Sequence, residues 1–285
     1  MRRRRFLALA GATIPPWAWP IGKSYAQPSA APVTLLSAPL EMGGEWGGSL
    51  PQAAARVIER MREVSLASVR LVSDQQPERL RIDDHSSGPP AIWLHDDPPQ
   101  TAWIIVDIGA RDWCKLAYQF GHELGHVLCN SWKRQAKPQP PCQWLEEALV
   151  EAFSIRGLGL LAASWERDPP FAGDAGFAKF IREYRGNLVE KYRKAAWHEP
   201  DTEIASWFRT NRDALEHTKG DAVVLTLLAE EEGDRACVED LGAVNRWPAR
   251  SAAPIEDYLR LWQASCAEIG ASGHLPARLQ RLLEL

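Results

Sequence analysis

The chain contains, before its midpoint, the stretch Tyr118-Gln-Phe-Gly-His122-Glu123-Leu-Gly-His126-Val-Leu-Cys129. An α-helix completes a turn in about 3.6 residues, so two histidines four positions apart project from the same side of it. Two imidazoles in that relation can hold one Zn²⁺ through ring nitrogens. Only 7 of the 285 residues are histidine, so this spacing around a glutamate is uncommon by chance. The stretch predicts a metal-binding helix.

Glu123 directly follows the first histidine, so its carboxylate is expected beside the metal rather than on it. There it can take a proton from a zinc-bound water, which is the general-base role in H-E-x-x-H metallohydrolases. The opposite face of the helix is apolar and indicates packing against a core. That face consists of Leu116, Phe120, Leu124, Val127 and Leu128.

A third ligand is expected further along the chain, because catalytic zinc sites usually have three protein ligands and a water. The nearest acidic cluster is Trp144-Leu-Glu146-Glu147-Ala-Leu-Val-Glu151. Glu147 and Glu151 lie one helical turn apart and share one side of a predicted helix. Taken alone, this pair is equally typical of a solvated helix face.

The two stretches together resemble the gluzincin metallopeptidases, a superfamily that includes thermolysin and the zinc aminopeptidases. Its members follow H-E-x-x-H with a helix often written W-x-x-E-G-x-A-E, whose glutamate completes the zinc site. The resemblance implies a zincin-like fold with His122, His126 and Glu147 as zinc ligands. Glu146 is the competing ligand, since it fits thermolysin-like spacing slightly better. The resemblance also implies that Glu151 orients a ligand imidazole through its second N–H.

A further stretch, Glu216-His217-Thr218-Lys219-Gly220, is similar to the Y-x-K-G of zinc aminopeptidases. In that family the tyrosine hydrogen-bonds the oxyanion of the tetrahedral intermediate. His217 stands in the tyrosine's place here, and an imidazole N–H can also donate to an oxyanion. The resemblance thus implies a catalytic His217. The alternatives are a plain helix-start residue at this position, or an oxyanion donor among Tyr184, Tyr192 and His198.

The N-terminus predicts an export signal over residues 1–26. Arg3-Arg4-Arg5-Phe6-Leu7 matches the core of a twin-arginine signal, although an ordinary secretory signal or a basic tail would share its charge. A cut after Ala26 is expected, with one near Ala31 as the alternative. The expected location is periplasmic or extracellular.

Composition limits the partners of the protein. Loss of residues 1–26 would remove five basic residues and no acidic one, which changes the formal charge from −4 to −9. Such a charge argues against nucleic acid as a partner. No stretch after the signal suggested a membrane span, so no stable membrane insertion is expected after signal removal. Bridges between Cys129 and Cys142, and between Cys237 and Cys266, are possible pairings that sequence does not decide.

The order of patterns predicts an α+β protein. Strand-like runs occur at 68–72, 80–82, 91–94 and 102–108. Helical periods occur at 51–65, from Asp112 through the histidine pair, and at 142–163, 173–195, 201–209, 219–232, 254–269 and 275–284. We expect a signal (1–26), a linker (27–50) and one domain (51–285). Within that domain, a small twisted sheet and a long zinc-binding helix (51–139) would precede a mostly helical lobe (140–285).

These patterns predict an exported zinc-dependent hydrolase, most simply a metallopeptidase acting on a peptide or protein substrate. Two alternatives remain at this point. One is a non-catalytic zinc-binding or structural protein that keeps the fold. The other is a zinc amidase that acts on cell-wall material or another non-peptide amide.

Overall fold

The computed structural model describes residues 35–67, 69–70, 73–85, 88–109, 111–136, 140–196, 203–248 and 253–285. The predicted export signal and His198 lie outside these ranges. Residues Val33–Leu285 form one compact unit, and a single hydrophobic core runs through its front and back parts. The two predicted lobes therefore share their core.

A four-stranded mixed sheet forms the front of the domain, in the order β1-β2-β4-β3. The strands are β1 (Leu40–Gly44), β2 (Arg79–Asp84), β3 (Ala91–Ile92) and β4 (Thr101–Val106). The first two pairings in that order are parallel, and β3 runs antiparallel along the outer edge of β4. One face of the sheet is buried in the core, and its buried side chains are Leu80, Ile82, Ala102, Ile104 and Val106.

The start of the ordered domain differs from the prediction, because β1 lies inside the range expected as a linker (27–50). Its sequence, Leu-Glu-Met-Gly-Gly, carries little strand signal, and it is a strand because it pairs with β2. A Cβ at Gly44, which has φ +85°, would lie 2.3 Å from the backbone carbonyl oxygen of Asp84, so this approach to β2 requires glycine. The strand predicted at 68–72 is absent at its described residues, Val69 and Arg70.

Three helices form the centre of the domain: α1 (Pro51–Leu66), α2 (Trp113–Leu128) and α3 (Gln143–Arg167). Helix α2 carries the histidine pair and begins as predicted at Asp112, whose side chain accepts a hydrogen bond from Lys115 N at 3.2 Å. Helix α3 is long and apolar enough to cross a membrane, contrary to the expectation from sequence. Most of its apolar stretch is buried inside the domain, as in a central core helix.

The back of the domain is helical, as predicted. Its helices are α4 (Ala178–Ala195), α5 (Ile204–Leu215), α6 (Val224–Gly233), α7 (Arg235–Asp240), α8 (Ile255–Ile269) and α9 (His274–Leu283). Helix α6 begins five residues later than expected, because Gly220 adopts a left-handed conformation and a short 3-10 turn follows it. The short α7 was not predicted. The α+β class is confirmed.

Candidate metal centre

The two histidines and Glu147 converge as a set of metal donors. His122 Nε2 lies 3.7 Å from Glu147 Oε2, and His126 Nε2 lies 3.8 Å from Glu147 Oε1. One ligand atom from each of the three residues lies within 4.8 Å of the others. These separations exceed hydrogen-bond length and leave room for an ion between the donors. The group could therefore hold a metal ion.

The adjacent glutamates of α3 have different partners. Glu147 faces the Nε2 atoms of both histidines, whereas Glu146 is turned behind His126 and its Oε1 lies 2.8 Å from His126 Nδ1. Successive residues on a helix point about 100° apart, so only one of them can face the donor set. The geometry favours Glu147 as the ligand and makes Glu146 a partner of the second imidazole.

Glu151 lies behind the first imidazole, as the sequence implied. Its Oε2 is 2.9 Å from His122 Nδ1, and Tyr118 Oη donates to the same carboxylate at 2.9 Å. Each imidazole thus has its Nδ1 against a carboxylate. A proton held at Nδ1 leaves the Nε2 lone pair directed at the shared space, which is the tautomer a metal requires.

Glu146 is itself held by residues far along the chain. Asn245 Nδ2 donates to Glu146 Oε2 at 2.7 Å, and Tyr258 Oη donates to Asn245 Oδ1 at 2.8 Å. Neither residue was predicted from the sequence. No local pattern marks them, because the first contact joins positions 99 residues apart.

The three donor side chains stabilise one another by charge. Burial acts to lower the pKa of His122, but contacts with Glu147 and Glu151 outweigh it and raise the pKa to about 10. Burial acts to raise the pKa of Glu147, yet His122, His126 and Lys219 lower it to about 2. The histidines and Glu147 therefore stabilise one another as an ion pair, and a metal ion bound there would replace the imidazole proton.

Glu123 is buried beside the donors, and burial raises the pKa of its carboxyl group. It lines both halves of a cleft that opens at the donor set. The halves have volumes of about 240 and 180 Å³, and both are lined by Pro90, His122, Glu123, Glu147 and Lys219. Ala91 and Ile92 of the edge strand β3 form one wall of the smaller half.

His217 does not join this group. It is exposed just after the end of α5 and lines neither half of the cleft. Tyr192 lines the larger half, and Tyr184 packs against Tyr118 with ring centroids 5.9 Å apart. Lys219, two residues after His217, lines both halves of the cleft, and its Nζ lies 3.8 Å from Glu147 Oε2. No role was predicted for it from the sequence.

The five cysteines play no part in the centre. Cys142, Cys237 and Cys266 are free buried thiols, so neither of the two possible bridges forms. Cys142 Sγ instead donates to the Ala253 carbonyl at 3.3 Å. Burial raises the pKa of the Cys142 thiol to about 12, so it is not a thiolate ligand.

No protein-family model matches this chain. Nor does any curated protein or solved structure show significant similarity to it. The resemblance to gluzincins therefore rests on short motifs, and any functional argument depends on the geometry of the centre. Within the described part of the chain, one group of histidine, cysteine or acidic side chains has its ligand atoms close enough together to hold a metal ion. It consists of His122, His126 and Glu147.

Proposed function

We propose that the protein is a zinc-dependent hydrolase of gluzincin type that cleaves peptide bonds outside the cytoplasm. The observation that carries the proposal is the convergence of two imidazole Nε2 atoms on one carboxylate, 3.7 and 3.8 Å away, beside a buried Glu123 in an open cleft. The export part of the proposal depends on the twin-arginine pattern Arg3-Arg4-Arg5-Phe6-Leu7.

The donor chemistry fits zinc. Two neutral imidazoles and one carboxylate are a common set in catalytic zinc sites, where the fourth position belongs to water or substrate. Magnesium and calcium prefer sets made wholly of oxygen atoms. His122, His126 and Glu147 would hold the ion, and Glu151 and Glu146 would keep the two rings oriented. When bound, zinc supplies a Lewis acid that acidifies a coordinated water and polarises a carbonyl group.

Glu123 would move the proton during the reaction. It takes a proton from the attacking water while the water oxygen bonds to the carbonyl carbon. As the C–N bond breaks, it gives that proton to the leaving nitrogen. Burial supports this role because a raised carboxyl pKa makes Glu123 a stronger base. A purely structural zinc site has no need of such a group.

The edge strand β3 offers a place for an extended peptide. Trp93 N donates to Trp103 O at 2.8 Å, which makes this facing pair hydrogen-bonded. Facing pairs alternate along an antiparallel ladder, so the next pair, Ile92 with Ile104, is not hydrogen-bonded. The N–H and C=O of Ile92 therefore point away from β4. A peptide that pairs with them would lie along the cleft.

Zinc content and peptide cleavage test this proposal. We expect the purified protein to bind about one equivalent of zinc. His122→Ala and Glu147→Ala should lose it, while Glu146→Ala should retain it with lower affinity. Glu123→Gln should keep the zinc and lose cleavage of a mixed peptide library.

Three results would contradict parts of the proposal. Failure of the wild type to bind zinc would remove the metal site. Zinc binding without peptide cleavage would favour the non-catalytic alternative, or the amidase if cell-wall amides were cleaved instead. Full activity in Glu123→Gln would exclude Glu123 as the base.

A further inference from the structure

Lys219 places an ammonium group beside the donor set. Its Nζ lies 3.8 Å from Glu147 Oε2, on the carboxylate that also faces both histidines. Lys219 contributes to both halves of the cleft. A substrate bond held at the metal would therefore lie within reach of its ammonium group.

The backbone that carries Lys219 is fixed against the helix that carries Glu147. Gly220 has φ +69°, and a Cβ there would lie 2.5 Å from the carbonyl oxygen of Trp144 in the first turn of α3. Gly220 N donates to Thr218 Oγ1 at 3.1 Å, and that hydroxyl donates to Leu215 O at 3.0 Å. The backbone at Lys219 is thus fixed, while its side chain is 79% exposed and can change rotamer.

An ammonium group at this position opposes metal binding. Lys219 repels a divalent ion held by Glu147, and the repulsion weakens only through solvent screening. Its charge is useful when negative charge develops beside the metal during a reaction. A positively charged N–H donor that reaches this point stabilises the charge that develops in the transition state.

We propose that Lys219 is a catalytic residue of the proposed hydrolase and stabilises the oxyanion, a part that the sequence had implied for His217. The inference rests on the proposed function. As the water oxygen bonds to the carbonyl carbon, the carbonyl π pair moves onto its oxygen, and a Lys219 N–H donates to that oxygen. The pair returns to re-form the C=O bond when the C–N bond breaks, with the proton on Glu123 passing to the nitrogen.

Lys219→Met tests the proposal because it keeps an unbranched side chain of nearly the same length and removes the ammonium group. We expect kcat to fall by roughly 10²–10³-fold with little change in KM, as on loss of one oxyanion donor. Zinc affinity should be unchanged or a few-fold higher, since a repulsive charge has been removed. Lys219→Arg should recover part of kcat, and His217→Phe should keep wild-type kcat.

Lys179→Met serves as the matched control. Lys179 is an exposed lysine of α4 that pairs with Glu183, away from the cleft. Unchanged kcat in Lys219→Met would overturn the inference while leaving the proposed hydrolase intact. A fall in kcat together with loss of zinc would also overturn it, because Lys219 would then only support Glu147. A wild type that cleaves no peptide would remove both proposals.

Discussion

Glu231 is a buried carboxyl group outside the metal centre. Its side chain is 1% exposed, and neither carboxylate oxygen has a hydrogen-bond partner among the described residues. Burial raises the pKa of Glu231 well above its usual value, although Arg156 opposes the shift. A buried carboxylate without hydrogen-bond partners is costly, so folding favours the protonated form of this group.

Glu231→Gln should therefore stabilise the protein increasingly as pH rises. In the unfolded chain the carboxyl group ionises above its ordinary pKa, while in the folded chain its raised pKa keeps it protonated to higher pH. Wild-type stability then falls by at most about 1.4 kcal/mol per pH unit until the folded pKa is reached. Glutamine does not titrate, so the gain in the free energy of unfolding should be larger at pH 8 than at pH 5.

Urea unfolding with a chelator present measures this difference without a contribution from metal binding. Glu183→Gln, at an exposed glutamate of α4, is the control and should show a difference near zero at both pH values. A gain for Glu231→Gln that did not vary with pH would show that the folded protein carries this group ionised.

The approach of α2 to α3 depends on glycine. A Cβ at Gly125 of α2 would lie 2.8 Å from Val150 Cβ of α3. Gly121, one turn earlier, faces α3 in the same way. A Cβ added at Gly121 would lie 2.9 Å from Ser154 Oγ. The two helices can pack this closely because neither position has a side chain. Their separation sets the distance between the histidines of α2 and Glu147 of α3.

Gly125→Ala should separate the helices and weaken the metal centre. Overpacking of a core typically costs about 1–3 kcal/mol, which exceeds the gain of about 1 kcal/mol in helix propensity. We expect a lower free energy of unfolding and lower zinc affinity, measured by urea unfolding and metal titration.

Gly186→Ala in α4 is the matched control. Nothing lies within 4 Å of a Cβ at this exposed position, so alanine should stabilise the protein by about 0.5–1 kcal/mol without changing zinc affinity. Equal effects of the two substitutions would mean that the close contact of α2 with α3 has no energetic importance.

Two asparagines connect the end of α2 to the back of the molecule. Asn130 and Asn245 both have left-handed backbones, with φ of 63° and 59°. Asn130 Nδ2 donates to Gly242 O at 3.0 Å and to Val244 O at 2.8 Å, while Asn245 holds Glu146. Through Tyr258 of α8, the C-terminal helices contribute to the orientation of His126.

Asn245→Gly should weaken zinc binding from a distance. Glycine accepts the left-handed backbone without strain, so the backbone should be kept while the side-chain amide is lost. That amide donates to Glu146, Cys129 O and Ser131 Oγ and accepts from Tyr258. Loss of a group that supports a metal ligand typically lowers metal affinity by about 10–100-fold. Competition with a chromogenic chelator measures this fall. Asn211→Ala in α5 is the control, since glycine at this position would destabilise the helix. The variant loses a hydrogen bond from Nδ2 to Trp207 O at 2.8 Å, remote from the centre. Its zinc affinity should be unchanged.

The local pattern of the chain determined the helix that carries the histidine pair. The position of the histidines one turn apart, the N-cap at Asp112 and the apolar face all follow from helix pitch, which neighbouring residues set by themselves. The α+β class was predicted in the same way, from the spacing of apolar residues along the chain. Strand β1 escaped detection because its stability comes from pairing with β2 rather than from its own residues.

Only the tertiary structure decided which side chains surround the donor set. The sequence allowed Glu146 or Glu147 as the third donor, and the rotation of α3 against α2 placed Glu147 between the histidines. Lys219, Asn245 and Tyr258 reach the centre from segments 70 to more than 100 residues away, and His217 points elsewhere. Periodicity along a chain reports the face of a helix, whereas the partner of that face is set by packing between distant elements.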